Sequence, residues 1–176
     1  MLVHLRRSVI VSILLFVVCG LVYPLLETGI AQVVFPHQAG GSLTSNGSTL
    51  IGQSWTGPKW FQGRPDPDNP MASGASNLGP RSKVLVEDVR KQIALLKKEG
   101  ITPTNDLVTT SGSFLDPDIT PADAYAQASA VAKADKLPIA RVKELIAGHV
   151  QGAELGFLGQ AYVNVLQLNE ALAKLG

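Results

Sequence analysis

A glycine- and serine-rich segment at residues 71–83, MASGASNLGPRSK, has the composition of a loop that holds a phosphate at a helix N-terminus. The nucleotide-binding P-loop requires a glycine, four residues, and then Gly-Lys-Ser or Gly-Lys-Thr. Gly74 and Gly79 have this spacing, but Pro80 follows where the lysine is required, and proline lacks a backbone donor. The segment is therefore interpreted as an ordered loop, with glycines required by its backbone, that ends at a helix N-cap at Ser82.

Few side chains have the types and spacing of acids, bases or metal ligands. His149 is the one histidine remote from the N-terminal apolar segment, because His4 and His37 flank that segment. No serine lies in a Gly-x-Ser-x-Gly elbow, and a histidine at a helix end is expected to contact the last carbonyls. Asp116 and Asp118 could bind a divalent cation or transfer protons. Asp-Pro-Asp is also typical of a turn before a helix cap, and this structural interpretation is favoured because no further ligands complete a metal site.

Length and charge limit the classes of protein that the chain can form. Its 176 residues accommodate one domain of ordinary size with attachments. Fifteen basic and fourteen acidic residues give a formal charge of +1, so no nucleic-acid partner is expected. The single cysteine, Cys19, excludes an internal disulfide.

The N-terminal apolar segment predicts a membrane anchor. Residues 9–26 are 18 residues without a charge, close to the length of about 20 that a membrane-spanning helix needs. Arg6 and Arg7 precede the segment, Glu27 follows it, and the next basic residue is Lys59. The positive-inside bias therefore predicts a cytoplasmic N-terminus and an extracytoplasmic domain.

A cleavable signal peptide is the alternative interpretation of this segment. Gly29 and Ala31 are small residues at a possible cleavage site, and a secreted protein would be released after Ala31. The apolar segment is longer than the roughly 7–15 residues of a signal core, which favours a retained anchor. Pro24 is expected to kink the helix or to end it near Tyr23. The chain is thus divided into a cytoplasmic N-terminus (1–8), a transmembrane anchor (9–30) and an extracytoplasmic domain (31–176).

The first part of that domain is predicted to contain a hairpin and a long loop. Asn46-Gly47 favours a tight turn between strands near 42–45 and 48–53. From 54 to 82 the prolines exclude a helix, while large aromatic side chains favour an ordered loop. The prolines are Pro58, Pro65, Pro67, Pro70 and Pro80, and the aromatic residues are Trp55, Trp60 and Phe61.

Four helices are predicted behind this part, and each is expected to bury one face. The first begins after Ser82, ends at Gly100 and has Val86, Val89, Ile93 and Leu96 on one face. The second has Thr120 as its cap, with Pro121 and Asp123 in the first turn, and continues to about Asp135. The third opens at Pro138 with Ile139, Val142, Ile146 and His149 on one side, and the last runs from about Asn164 with Val165, Leu168, Leu172 and Leu175. A few strands followed by helices indicate an α+β domain.

Several segments together resemble the C subunit of the Kdp-type potassium-transporting P-type ATPase of bacteria and archaea. In chain order they are the N-terminal span, GSL, LIGQSW, WFQGRP, ASGASNLGP, VTTSGSFLDPDITPADA, VKELIAGHV and YVNVLQLNEAL. As an ordered set they are highly specific. The resemblance implies family-motif or interaction residues at Gly52, Gln53, Gly63, Arg64, Pro65, Ser73, Gly74, Ser76, Asn77, Gly79, Pro80, Ser111, Gly112, Asp116, Pro117, His149, Asn164, Val165 and Asn169.

The resemblance implies a single-span, non-catalytic accessory subunit of a high-affinity potassium uptake complex in the plasma (inner) membrane. It implies a catalytic chaperone that assists assembly and raises the ATP affinity of the catalytic subunit. ATP and potassium would be handled by two partners, an ATP-hydrolysing subunit and a channel-like potassium-binding subunit, with membrane lipid around the anchor and no cofactor bound directly. An extracytoplasmic domain cannot touch cytoplasmic ATP, so its effect must be indirect or must use the short cytoplasmic end. The alternative is a membrane-anchored extracytoplasmic enzyme that uses His149 with Asp116 or a serine.

Overall fold

The computed structural model describes residues 2–67, 69 and 71–175. Pro70, one of the prolines expected to exclude a helix, lies outside the described residues. The chain divides into two compact units, Met1–Leu43 and Thr44–Gly176.

The first unit is built on a helix that runs from Leu2 to Val34 and is long and apolar enough to cross a membrane. It consists of α1 (Leu2–Val17), a π-helical turn (Val18–Val22) and α2 (Tyr23–Val34), and a short α3 (Pro36–Ala39) follows. Pro24 was expected either to kink the helix or to end it near Tyr23, and the second alternative is wrong because the helix continues to Val34. Pro24 lies in the first turn of α2, directly after the π-helical turn, where the local change in hydrogen bonding accommodates a residue without an N–H.

The second unit is a mixed, helix-rich domain with small sheets. Its helices are α4 (Lys83–Lys98), α5 (Asn105–Val108), α6 (Pro121–Ala134), α7 (Ile139–His149) and α8 (Val165–Ala173). Its strands are β1 (Leu43–Thr44, which begins at the last residue of the first unit), β2 (Gly47–Ser48), β3 (Asp118–Ile119) and β4 (Val163–Asn164). β1 pairs with β2, and β3 pairs antiparallel with β4 so that Asp118 faces Asn164.

The main core lies where α6, α7 and α8 pack together. Ala124, Ala128 and Ala132 of α6 lie in this core. The loop at residues 54–67, which we call the aromatic loop, contributes the fully buried Phe61. Trp55 and Trp60 pack against this core, with ring centroids 5.1 Å apart. The ordered loop was predicted over residues 54–82, and its anchoring by aromatic side chains is confirmed for the part that carries them, residues 54–67. A second, smaller cluster consists of Leu96, Ile101, Leu107 and Ala130.

The predicted helix starts are confirmed by their caps. The Ser82 hydroxyl accepts a hydrogen bond from the Leu85 N–H at 3.5 Å. Thr120 and Asp123 form a reciprocal capping box at the start of α6. The Asn164 side chain accepts from the Gln167 N–H at 3.2 Å and caps α8.

Two predictions about the second unit are wrong in detail. The hairpin is shorter than predicted, and its two-residue loop is Ser45-Asn46; Gly47 belongs to β2, with a φ of 144°. The apolar face of α4 is largely uncovered, because only Leu96 in its last turns reaches the small cluster of Ile101 and Leu107. Val86, predicted to be buried, is 41% exposed.

Candidate functional site

A groove of about 640 Å³ lies on the second unit, between the segment after the hairpin, the aromatic loop and the Phe114–Pro117 segment. Gln92 and Leu95 of α4 and two residues of α8 complete its walls. The groove brings together eight of the predicted motif residues, which are Gly52, Gln53, Gly63, Arg64, Pro65, Asp116, Pro117 and Val165. The other motif residues are not among the described residues that line it.

Arg64 is the central charged group of the groove. Its Nη2 lies 2.6 Å from Asp106 Oδ1, and its Nε lies 3.3 Å from Asp116 Oδ2. Nη1 also donates to the Thr109 carbonyl at 3.3 Å. Because two carboxylates neutralise the guanidinium, Arg64 joins three segments of the domain and does not present an uncompensated positive charge to an anion.

The pKa values of the acidic groups in this part of the domain shift in different directions. Burial raises the pKa of Asp106, and hydrogen bonding to Asp123 raises it further, whereas Arg64 opposes the shift. Burial also acts to raise the pKa of Asp123, but hydrogen bonds from Thr120 help to hold that pKa below its usual value. Burial raises the pKa of Asp118 against the opposing effect of Asn164. The Asp106 carboxyl is thus the group that holds its proton to higher pH within the Asp106–Asp123 pair.

Two buried side-chain amides fix the aromatic loop from below. Asn169 accepts from the Phe61 N–H and donates to the Phe61 carbonyl, both at 2.9 Å. Gln127 accepts from the Gln62 N–H at 2.7 Å and donates to the Gln62 carbonyl at 3.0 Å. Both amides are fully buried, so they satisfy four backbone groups that no water could reach. We call this pair of interactions the amide clamp.

Glycine is required at position 52, within the LIGQSW segment. The Gly52 N–H donates to the Leu115 carbonyl at 2.8 Å, and a Cβ at this position would lie 2.6 Å from the Asp116 carbonyl oxygen. The next side chain, Gln53, packs so closely over Gly47 that a Cβ there would lie 2.1 Å from Nε2. These contacts hold the hairpin side of the groove against the Phe114–Pro117 side.

The segment at 71–82 lies outside the groove and is held by few contacts. Ser73 and Gly74 donate to the Ser113 carbonyl at 3.2 and 2.9 Å, and a Cβ at Gly74 would lie 3.2 Å from the Phe114 ring. A Cβ at Gly79 would meet nothing within 4 Å. The interpretation of these glycines as backbone requirements is therefore supported by a close contact at Gly74 and is wrong for Gly79.

Two further motif residues, Ser111 and Asn164, have structural partners. Ser111 donates through its N–H and its hydroxyl to Asp66, both at 2.6 Å. Asn164 donates to the Thr49 carbonyl and to Asp118, both at 2.9 Å. In the same part of the structure, Gly112 is exposed and a Cβ there would be unobstructed.

His149 lies at the end of α7 with Nδ1 2.8 Å from the Leu145 carbonyl oxygen. The expected contact with a last-turn carbonyl is confirmed. His149 does not line the groove that contains Asp116. No group of three His, Cys, Asp or Glu residues in the described ranges is placed to hold a metal ion.

Sequence reasoning missed Gln127 and Asp106. Gln127 has a recognisable signal, because it lies among Ala124, Ala128 and Val131 on the buried face of α6, where a polar residue must have a partner. Asp106 has no such signal, because it meets Arg64 only through the fold, at a separation of 42 residues that includes α4.

In the part of the chain that the structure describes, one helix is long and apolar enough to cross a membrane, and a small mixed domain follows it. This combination is typical of a membrane-associated protein. The chain matches the family model described as KdpC: K+-transporting ATPase, c chain, over residues 5–174. The chain belongs to this family.

Curated relatives cover almost the whole chain. The potassium-transporting ATPase KdpC subunit of Methylobacterium nodulans is 44% identical over 99% of this chain and 98% of its own length. The subunit of the same name from Sorangium cellulosum is 46% identical over 98% of each chain. That of Gloeobacter violaceus is 45% identical over 96% of this chain and 95% of its own.

Proposed function

We propose that the chain is a non-catalytic accessory subunit of an ATP-driven, high-affinity potassium uptake complex. The observation that carries the proposal is family membership across residues 5–174, which include the candidate membrane helix and nearly all of the second unit. The N-terminus would be cytoplasmic, as Arg6 and Arg7 before the apolar segment and Glu27 after it favour. The domain after the anchor would then lie outside the cytoplasm.

The partners we propose are the two other functional parts of the pump. The helix would pack against the channel-like, potassium-binding subunit, with lipid around the rest of its surface. The domain would dock over the entrance of that subunit. The ATP-hydrolysing subunit would be reached only through this assembly.

An effect on ATP affinity from outside the membrane must be conformational. Docking would favour one state of the pump, and a state that binds ATP more tightly would then be more populated. Linkage is reciprocal, so bound ATP would strengthen docking by the same factor. This is the sense in which we propose a catalytic chaperone.

The second candidate is an extracytoplasmic enzyme that uses His149 with Asp116 or a serine. The geometry favours the accessory role, because His149 does not line the groove that contains Asp116, and Asp116 is paired with Arg64. A catalytic base must lie within hydrogen-bond reach of the group whose proton it removes.

The deciding experiment compares the purified ATPase with and without this chain. We expect the KM for ATP to rise several-fold without the chain and to recover when the chain is returned, while the chain alone hydrolyses nothing. His149→Ala separates the two candidates. An accessory subunit with this substitution should retain its effect on KM if the complex assembles, whereas loss of a turnover that belongs to the folded chain alone would support the enzyme.

A further inference from the structure

An exposed apolar hairpin arm projects between α7 and β4. Gln151 and Tyr162 pair at its base through backbone hydrogen bonds of 2.8 and 2.9 Å. Glu154 and Leu158 pair near its end at 2.9 Å in both directions. We call residues 154–158, Glu-Leu-Gly-Phe-Leu, the hairpin tip.

The hairpin tip presents large apolar side chains to solvent. Leu155 is 80% exposed, Phe157 74% and Leu158 50%. Water contact at three neighbouring apolar side chains is unfavourable, and clusters of this kind mark surfaces that bind a protein or a membrane.

The backbone of the tip forms a tight turn. Leu155 has a φ of 52°, in the left-handed region that residues with a Cβ disfavour, and Gly156 follows at 81°. The Phe157 N–H donates to the Glu154 carbonyl at 3.2 Å. The turn brings Leu155, Phe157 and Leu158 together at the end of the arm.

The charge at the hairpin tip favours a protein pocket over a lipid bilayer as the surface to which the tip binds. Glu154 is the only Asp, Glu, Lys or Arg between residues 145 and 169, and no salt bridge joins it to another residue in the described part of the chain. Lipid-binding segments carry cations that attract anionic headgroups, whereas an acidic side chain is repelled by them. A pocket with a basic rim satisfies both the apolar side chains and the carboxylate.

We propose that the hairpin tip inserts into an apolar pocket with a basic residue at its rim, on another subunit of the same ATPase. This rests on the proposed function, because it assumes that the chain is assembled in that complex. Leu155 and Phe157 fill the pocket, and Glu154 pairs with the basic residue.

The test places a photo-crosslinking residue in the full chain, co-expressed with all the other ATPase subunits. Phe157→benzoylphenylalanine is expected to give a covalent adduct with another subunit. Met71→benzoylphenylalanine is the matched control, since Met71 is 92% exposed but lies outside the tip. Absence of an adduct at 157 in an intact complex would overturn the proposal. If the wild-type chain did not copurify with the ATPase, the proposed function itself would fail.

Affinity gives a second measurement. The double variant Leu155→Ser, Phe157→Ser is expected to weaken the binding of this chain to the other ATPase subunits at least about tenfold, because it removes the central apolar anchors. Glu154→Lys should weaken it less, and Met71→Ser should leave it unchanged. Unchanged thermal unfolding of the double variant checks that the fold persists, and equal affinity for all variants would contradict the proposal.

A bilayer contact is tested with the full chain alone in nanodiscs that contain brominated lipid. Phe157→Trp adds one fluorophore to Trp55 and Trp60. We expect no quenching beyond that of the wild type. Additional quenching would place the tip in lipid and would overturn the assignment to a protein pocket.

Discussion

The aromatic loop at 54–67 and the glycine-serine segment at 71–82 are both irregular, yet they are held in opposite ways. The first is fixed by the amide clamp and by Arg64, and its Phe61 is fully buried. The second is mostly exposed, and Ser73 and Gly74 attach it to the Ser113 carbonyl. The order of an irregular segment therefore depends on polar partners elsewhere in the chain, and similar turn-forming composition does not reveal it.

The largest expected effect is loss of the amide clamp. Asn169→Leu leaves the Phe61 N–H and carbonyl buried without partners, and we expect the free energy of unfolding to fall by roughly 2–4 kcal/mol. Asn77→Gly is the control in the other segment; Asn77 is exposed with a φ of 53°, which glycine adopts readily. Denaturant unfolding measures both, and equal losses would contradict the comparison.

A smaller decrease in the free energy of unfolding is expected when a methyl group is added at Gly52, where two walls of the groove meet. Gly52→Ala forces the Cβ toward the Asp116 carbonyl oxygen, which is backbone and cannot rotate away. We expect a loss of about 1–3 kcal/mol, as overpacking typically causes. Gly112→Ala, at an open position on the adjoining segment, should change the unfolding midpoint little.

Removal of Arg64 is expected to destabilise the domain in a pH-dependent way. Burial raises the pKa of Asp106 in the folded protein, so its contribution to stability falls as pH rises from the ordinary value of about 3.9 through the raised pKa. Arg64→Met removes the charge that opposes this shift, so the variant's deficit should grow over that window to about 1–2 kcal/mol and then remain constant.

Unfolding of wild type and Arg64→Met from pH 3 to pH 8 measures that deficit. Lys59→Met is the matched control on the same loop, because Lys59 is exposed and 3.9 Å from Asp135. A deficit for Arg64→Met that shrank with rising pH would have the wrong sign.

The smallest effects belong to the glycine-serine segment. Gly74→Ala brings a Cβ to 3.2 Å from the Phe114 ring, which can rotate, so we expect a loss below about 1 kcal/mol. Gly79→Ala meets open space and should be neutral or stabilising by up to about 1 kcal/mol. Calorimetric unfolding of the two variants measures which of them is less stable. A large loss of stability in Gly79→Ala would contradict this prediction.

Local chemistry made much of the fold predictable. Ser82, Thr120 and Asn164 cap helices because their side chains satisfy N–H groups within three residues along the chain. The buried spacing of Val165, Leu168 and Leu172 on α8 follows from helical periodicity alone. Such features require no knowledge of distant contacts.

The parts that sequence could not predict depend on distant partners. Asn169 was identified only through the family motif, and its contact with Phe61 spans 108 residues. The apolar spacing of α4 predicted a buried face, but Val86 is exposed because the domain provides no cover for that turn. Periodicity predicts which face is apolar and not whether another element covers it.

The proposed docking over the potassium entrance requires the domain to lie outside the cytoplasm. The most direct measurement fuses the C-terminus in parallel to alkaline phosphatase, which is active only outside the cytoplasm, and to a fluorescent protein that folds only inside it. We expect phosphatase activity without fluorescence. Fluorescence without phosphatase activity would contradict the proposed orientation and would allow direct contact between the domain and cytoplasmic ATP.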